Sequence, residues 1–306
     1  MTSSPQTGSN APASNLDEAV GFTIPGRNAR GRIVRLGPLL DHILSAHDYP
    51  VPIARILSEA LVLAALLGSL LKEDEGQLTI QAQTESGIVE LLVVDYRAGE
   101  LRGYVRFDRA RLGELPTHRD LAALFGKGYL AITFDHAAAE ERYQGIVPLE
   151  GSSLGEAAQN YFSQSEQLPS VVRLAVNDTG HVAGGILVQH LPEGEEGRDR
   201  LHTRLDDPEW EHVRILAETI KGHELTDPEL PLQGALWRLF HEEETRVLEG
   251  IPLSKGCRCN FEYIRSVLGR FGAAERAEMV DEDGFISVDC EFCSRVFPLS
   301  LDDFEN

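Results

Sequence analysis

Residues 256–297 read GCRCNFEYIRSVLGRFGAAERAEMVDEDGFISVDCEFCSRVF and hold every cysteine of a 306-residue chain: Cys257, Cys259, Cys290 and Cys293. Each pair can present two sulfurs from one tight turn, and two such turns face to face give the tetrahedral S4 shell that zinc prefers. CEFC is a common knuckle. CRC is tighter, with its thiols one residue apart, and both spacings also let a pair close into a local disulfide. Structural zinc, a redox pair and incidental core cysteine are therefore the competing readings. The clustering favours zinc over inert burial and leaves structural and redox-active zinc both open.

Working outward, size and charge bound the rest. A 33.7 kDa chain with 42% hydrophobic residues can bury a large core, so one large domain and a smaller one are expected. The start, MTSSPQTGSNAPAS, has neither a basic segment nor an apolar core, and no apolar run reaches membrane-spanning length. The expected compartment is the cytosol, without membrane association. There thiols stay reduced, so clustered cysteines point to metal or redox sensing rather than permanent disulfides. A formal net charge of -21 opposes binding to phosphate backbones, and residues 251–306 follow the trend with six Lys+Arg against eleven Asp+Glu. No nucleic-acid partner is expected, since a nucleic-acid zinc ribbon should be basic.

In chain order, residues 1–16 are rich in Ser, Pro, Asn and Ala and read as a disordered tail. RGRIVRL (30–36) reads as a strand, 39–46 as a short helix, and VPIARILSEALVLAALLGSLLK (51–72) as a buried helix starting near Pro52. The alternating stretches 77–83, 87–97 and 100–108 predict an antiparallel meander, followed by a short helix and a strand pair at 128–136 and 142–150. A helix over 153–165 and strands at 171–176 and 181–191 complete residues 17–190. The expected fold class is α+β, with a large antiparallel sheet and helices packed on it. Residues 191–250 carry sixteen Asp+Glu against seven Lys+Arg, and their two helical segments have apolar stripes that include Trp210 and Trp237. They read as an acidic helical linker whose docking is opposed by its own charge. Residues 251–306 then form a small C-terminal zinc-binding domain.

CxC, a spacer over residues 260–289 and then CxxC resembles the C-terminal redox switch of the 33 kDa heat-shock chaperones, the oxidation-activated holdases. Asn260 supplies an N-cap oxygen after the first pair, and Phe297 keeps an aromatic after the last cysteine. YFSQSEQLP (161–169), LRGY (101–104) and AGGILVQHLP (183–192) extend the similarity over nearly the whole chain except the tail. The resemblance implies an ATP-independent chaperone that binds unfolding proteins. In its reduced, inactive form Cys257, Cys259, Cys290 and Cys293 hold one zinc. On oxidation Cys257–Cys259 and Cys290–Cys293 disulfides form, zinc leaves, the linker loosens and chains dimerise.

Other motifs carry less. GSSLG (151–155) matches a nucleophile elbow, but Ser153 with Glu156 is also a helix cap, which explains both without chemistry. His42 and His47 are five apart and share no helical face. DEDG (281–284) has calcium-loop lettering, yet Cys290 stands where the bidentate Glu belongs, so a turn into the CEFC knuckle is expected. The functional alternatives are a thiol oxidoreductase using CEFC, a hydrolase using Ser153, and a zinc-ribbon adaptor.

Overall fold

β-rich alternation produces two sheets rather than one. The computed structural model describes residues 16–71, 76–116, 120–136, 141–191 and 207–304. Residues 1–15 of the expected tail and residues 192–206 of the expected linker lie outside them. β1 (Glu18–Ile24) and β2 (Ala29–Leu36) form a hairpin whose turn places Asn28 in the left-handed region at φ 46°. α1 (Pro38–Leu44) and α2 (Val51–Gly68) follow. β3 (Gln77–Thr84), β4 (Val89–Arg97), β5 (Glu100–Phe107), α3 (Leu121–Phe125), β6 (Gly128–His136) and β7 (Glu141–Pro148) come next. Then come α4 (Leu154–Tyr161), β8 (Ser170–Val176) and β9 (Ala183–His190). The acidic segment carries α5 (Pro208–Glu218), α6 (Gly222–Thr226) and α7 (Leu232–Phe240). Three two-residue strands follow: β10 (Arg246–Val247), β11 (Ile251–Pro252) and β12 (Ser254–Lys255). The chain closes with α8 (Phe261–Leu268), α9 (Ala273–Glu278), β13 (Ile286–Asp289) and β14 (Val296–Leu299).

The first sheet runs β10-β1-β2-β9-β8 with β11 also on β1, and the second runs β12-β5-β4-β3-β6-β7. α2 packs against strands of both. By length and composition it could cross a membrane, but 72% of it is buried inside the protein. Each of its fully enclosed Leu and Ile side chains contributes about 1.5–3 kcal/mol, so the helix is the spine of the main core.

The acidic helices form a second core on the opposite face of the first sheet. Trp210, Val213, Ile220, Leu225, Leu236 and Phe240 pack on Phe22, Ile24, Ile33, Ile186 and Val188. Trp210 lies on this stripe, but Trp237 does not: it is 68% exposed and rests on His241. In α7 the buried positions are 232, 235, 236, 239 and 240, which puts residue 237 on the outer face.

Arg35, fully buried on β2, fastens this layer. Its guanidinium donates to the carbonyls of Leu225 (2.8 Å), Leu230 (2.6 Å) and Glu224 (3.0 Å), satisfying the C-terminal end of α6. Gly184 makes the close approach possible, because a Cβ there would collide with the Leu225 carbonyl. At the rim, Arg27 makes a two-pronged contact with Glu243, at 3.0 and 2.9 Å. The charge of the acidic segment is thus partly answered by Arg27 in the turn between β1 and β2.

Candidate metal centre

The first knuckle is delivered by a sheet. β12 pairs in parallel with β5, and Gly256 N–H donates to Leu101 O at 3.0 Å, so Cys257 emerges directly from the edge of the second sheet. Asn260 then caps α8, its side chain accepting from Tyr263 N–H at 2.8 Å. The second knuckle lies between β13 and β14. Cys290 N–H donates to Arg295 O, and Cys290 O accepts from the N–H groups of Cys293 and Ser294, with Ser294 at φ 56°. The DEDG segment is a turn into β13, with the Asp281 carboxylate accepting from Phe285 and Asp283 N–H and from Ser287 Oγ.

These turns bring the four thiols together, all free and within 4.8 Å of one another. Cys257 Sγ is 3.1 Å from Cys259 and 3.6 Å from Cys290, and Cys259 Sγ is 3.4 Å from Cys293. A zinc–sulfur bond of about 2.3 Å requires tetrahedral edges of about 3.8 Å, so the cage matches a metal of that size. Burial works against ionisation of Cys257. The hydrogen bond from the Cys259 N–H and the contacts with the neighbouring thiols outweigh it, however, and bring it down to about 7. Burial, and then the hydrogen bond to Cys257, push Cys259 up, while burial pushes Cys290 up. The cage by itself therefore favours ionisation at Cys257 and opposes it at Cys259 and Cys290, and full ionisation calls for a cation at its centre. The soft, all-sulfur donor set suits zinc.

Around the cage the core is small. Among the described residues, Leu268, Ile286, Cys290, Phe297 and Leu299 are the ones buried there.

The middle residue of each knuckle reaches into the second sheet. Arg258 donates to Gln77 Oε1 on β3. Phe292 packs on Tyr104 and lies beneath the Arg102 guanidinium, which is itself paired with the nearly buried Asp95 at 2.6 Å. His47 also meets this knuckle, with Nε2 2.8 Å from Glu291 O and Nδ1 3.2 Å from Ser294 Oγ, while Ser294 Oγ donates to Ala46 O. His47 has no partner in His42. Its role against residues 244 or more positions away had no sequence signal.

Ser153 is a cap, its Oγ accepting from Glu156 N–H at 3.3 Å, and Glu156 accepts in turn from Ser152 N–H and Oγ. GSSLG therefore closes the start of α4, as its lettering predicts.

The family described as Hsp33 protein matches residues 17–300. The 33 kDa chaperonin of Caulobacter vibrioides is 45% identical over 295 residues, covering 93% of this chain and 95% of that one. Its counterpart in Pseudomonas aeruginosa is 36% identical over 297 residues, covering 95% and 94%. The crystal structure of the 33 kDa chaperonin (HSP33) from Thermotoga maritima superposes with a TM-score of 0.77 at 23% identity, covering 94% of this chain and 97% of that one. With the four-cysteine cage at one end, two largely antiparallel sheets around a buried helix and a match over nearly its whole length, this chain belongs to the Hsp33 family.

Proposed function

We propose that this chain is a redox-regulated, ATP-independent holdase that binds unfolding proteins and prevents their aggregation. It works by binding rather than turnover. Residues 17–190 are its chaperone domain, 191–250 its acidic linker and 251–306 its switch. In the reduced, inactive state Cys257, Cys259, Cys290 and Cys293 hold one zinc, which keeps all four sulfurs as thiolates and ties the two knuckles together. The observation that carries this reading is the convergence of four free thiols on a small core in which five residues are buried among the described ones. Such a core is marginal for its size, whereas zinc contributes on the order of 10 kcal/mol to the folding of small modules.

On oxidation, Cys257 pairs with Cys259 and Cys290 with Cys293. Each pair of thiolates gives up two electrons as its S–S bond forms, and one hydrogen peroxide per pair takes those electrons with two protons from solvent and is reduced to two waters. The ligands are then consumed and the module loses its cross-link. Its contacts with β3 and β5 go with it, followed by the hold of β10–β12 on both sheets. The acidic helices then lift from the first sheet and expose Phe22, Ile33 and Val188 to a client. The activated chains act as homodimers in the cytosol.

The test is light scattering of a thermally unfolding client without ATP, with zinc content measured in parallel. One zinc per reduced chain, with suppression only after oxidation and reversal by a thiol reductant, is the expected result. Equal suppression by both forms, or by neither, refutes it in favour of a zinc-ribbon adaptor.

A further inference from the structure

The YFSQSEQLP segment has no part in the switch, and its backbone is unusual. α4 runs into a π-helical turn, Phe162–Glu166, closed by Gln167 in the left-handed region at φ 52°. Such turns are rare and frequently lie at functional sites. This one walls a cavity of about 610 Å³, a volume typical of small-molecule sites. The cavity lies between the two sheets beyond the end of α2, reached by β6 and β7 at the edge of the second sheet opposite the cysteines.

Leu70 and Leu71 after α2, Phe134 of β6, and Phe162 and Leu168 around the π turn supply apolar walls. The polar wall is Arg30 of β2, in register with Gln189 of β9. Arg30 Nε donates to Gln189 Oε1 at 3.2 Å, and among the described residues no ion pair involves its guanidinium. Burial lowers its pKa. The other charged groups of the cavity are engaged: Glu166 accepts the Tyr161 hydroxyl at 2.9 Å, and Arg142 pairs with Asp135 at 3.3 Å. Arg32, two positions along β2, adds to the positive field while spending its own donors on Ser69 O and Gly31 O.

A half-buried guanidinium with no ion-pair partner among the described residues, set in an apolar cavity, is complementary to an anion carried on an apolar body. We propose that this cavity binds a small amphipathic carboxylic acid. Its carboxylate pairs with Arg30, and its hydrocarbon part lies against Leu70, Phe134, Phe162 and Leu168. The site is independent of the cysteine cage and of the chaperone reading.

The experiment is calorimetric titration of the reduced, full-length chain with octanoate and with 1-octanol. Octanoate is expected to bind one per chain, about tenfold tighter than the alcohol, as a charge-assisted contact requires. Arg30→Gln should bring octanoate down to the affinity of octanol and leave octanol unchanged. Leu168→Trp, which fills the cavity but keeps Arg30, should abolish binding of both. No octanoate binding to the parent chain, equal affinity for acid and alcohol, or unchanged octanoate binding in a folded Arg30→Gln variant overturns the proposal. If Arg30→Gln does not fold, Leu168→Trp decides: loss of octanoate binding supports the site, and retention overturns it.

Discussion

Phe292 meets Tyr104 edge-on, with ring centroids 5.0 Å apart and planes at 86°, so the residue between the cysteines of one knuckle is clamped by a strand of the second sheet. The Arg102 guanidinium lies 4.0 Å from the centre of the same ring. An aromatic pair and a cation–π contact of this kind are each worth about 0.5–1.5 kcal/mol. Phe292→Ala should leave zinc content unchanged while making the knuckle open about tenfold more often. Hydrogen exchange of the Cys290–Phe297 amides in the reduced protein measures this, and unchanged protection would show that the clamp does not hold the knuckle.

Cys290 is the most buried of the four cysteines, and its thiol has no replacement ligand within the cage. Cys290→Ser replaces a soft donor with a hard one. Metal analysis of the purified variant should give well under one zinc per chain, with lower order over residues 251–304 even without oxidant. Full occupancy contradicts a four-sulfur site.

Arg35 holds three carbonyls of the acidic segment from a position with no exposure to water. Arg35→Met strands those acceptors, at a cost of about 3 kcal/mol. Urea unfolding should show that loss, and limited proteolysis should cut within residues 207–240 of the reduced variant. Parent-like resistance at both measurements would mean the helices are held by their apolar face alone.

The two tryptophans of the acidic segment should behave oppositely. Trp210 is buried in the second core, and Trp210→Ala should cost about 3–5 kcal/mol. Trp237 faces outward, and Trp237→Ala should stay within about 0.5 kcal/mol of the parent in the same denaturation assay.

Glu59 of α2 has its carboxyl pushed up to about 7 by burial, with Arg55 at 3.9 Å only partly offsetting the effect. Between its ordinary value of 4.5 and about 7 the folded chain keeps a proton that the unfolded chain has released, so this group makes stability fall as pH rises through that window. Glu59→Gln removes the penalty. The variant should be more stable than its parent by about 2 kcal/mol near pH 8, with the gap closing towards pH 4, as followed by urea unfolding across pH.

Elements with a strong period were legible in the sequence. α2, the β3–β5 meander, the Asn260 cap and the Ser153 cap follow from local pattern alone. The convergence of the cysteines was legible because ligand spacing is itself local. The split into two sheets was not, since alternation says which face of a strand is buried but not which strand lies beside it. β10, β11 and β12 are two residues each and carry no period. Arg35 was hidden because a buried guanidinium is set by carbonyls some 190 residues away. Trp237 was legible in principle. Its angular phase on α7, read against Leu232, Leu236 and Leu239, separates it from the stripe that the segment as a whole suggests.

The pairing of β1 with β10 and β11 has a consequence for the nascent chain. β1 joins β2 on one side at once, but its other edge waits for Arg246–Val247 and Ile251–Pro252, some 220 residues later. At roughly 5–20 residues per second, that edge stays open for roughly 10 to 50 seconds of synthesis. An unpaired edge is a template for a neighbouring strand. Each newly made molecule therefore carries that open edge until residues 246–252 arrive to cover it.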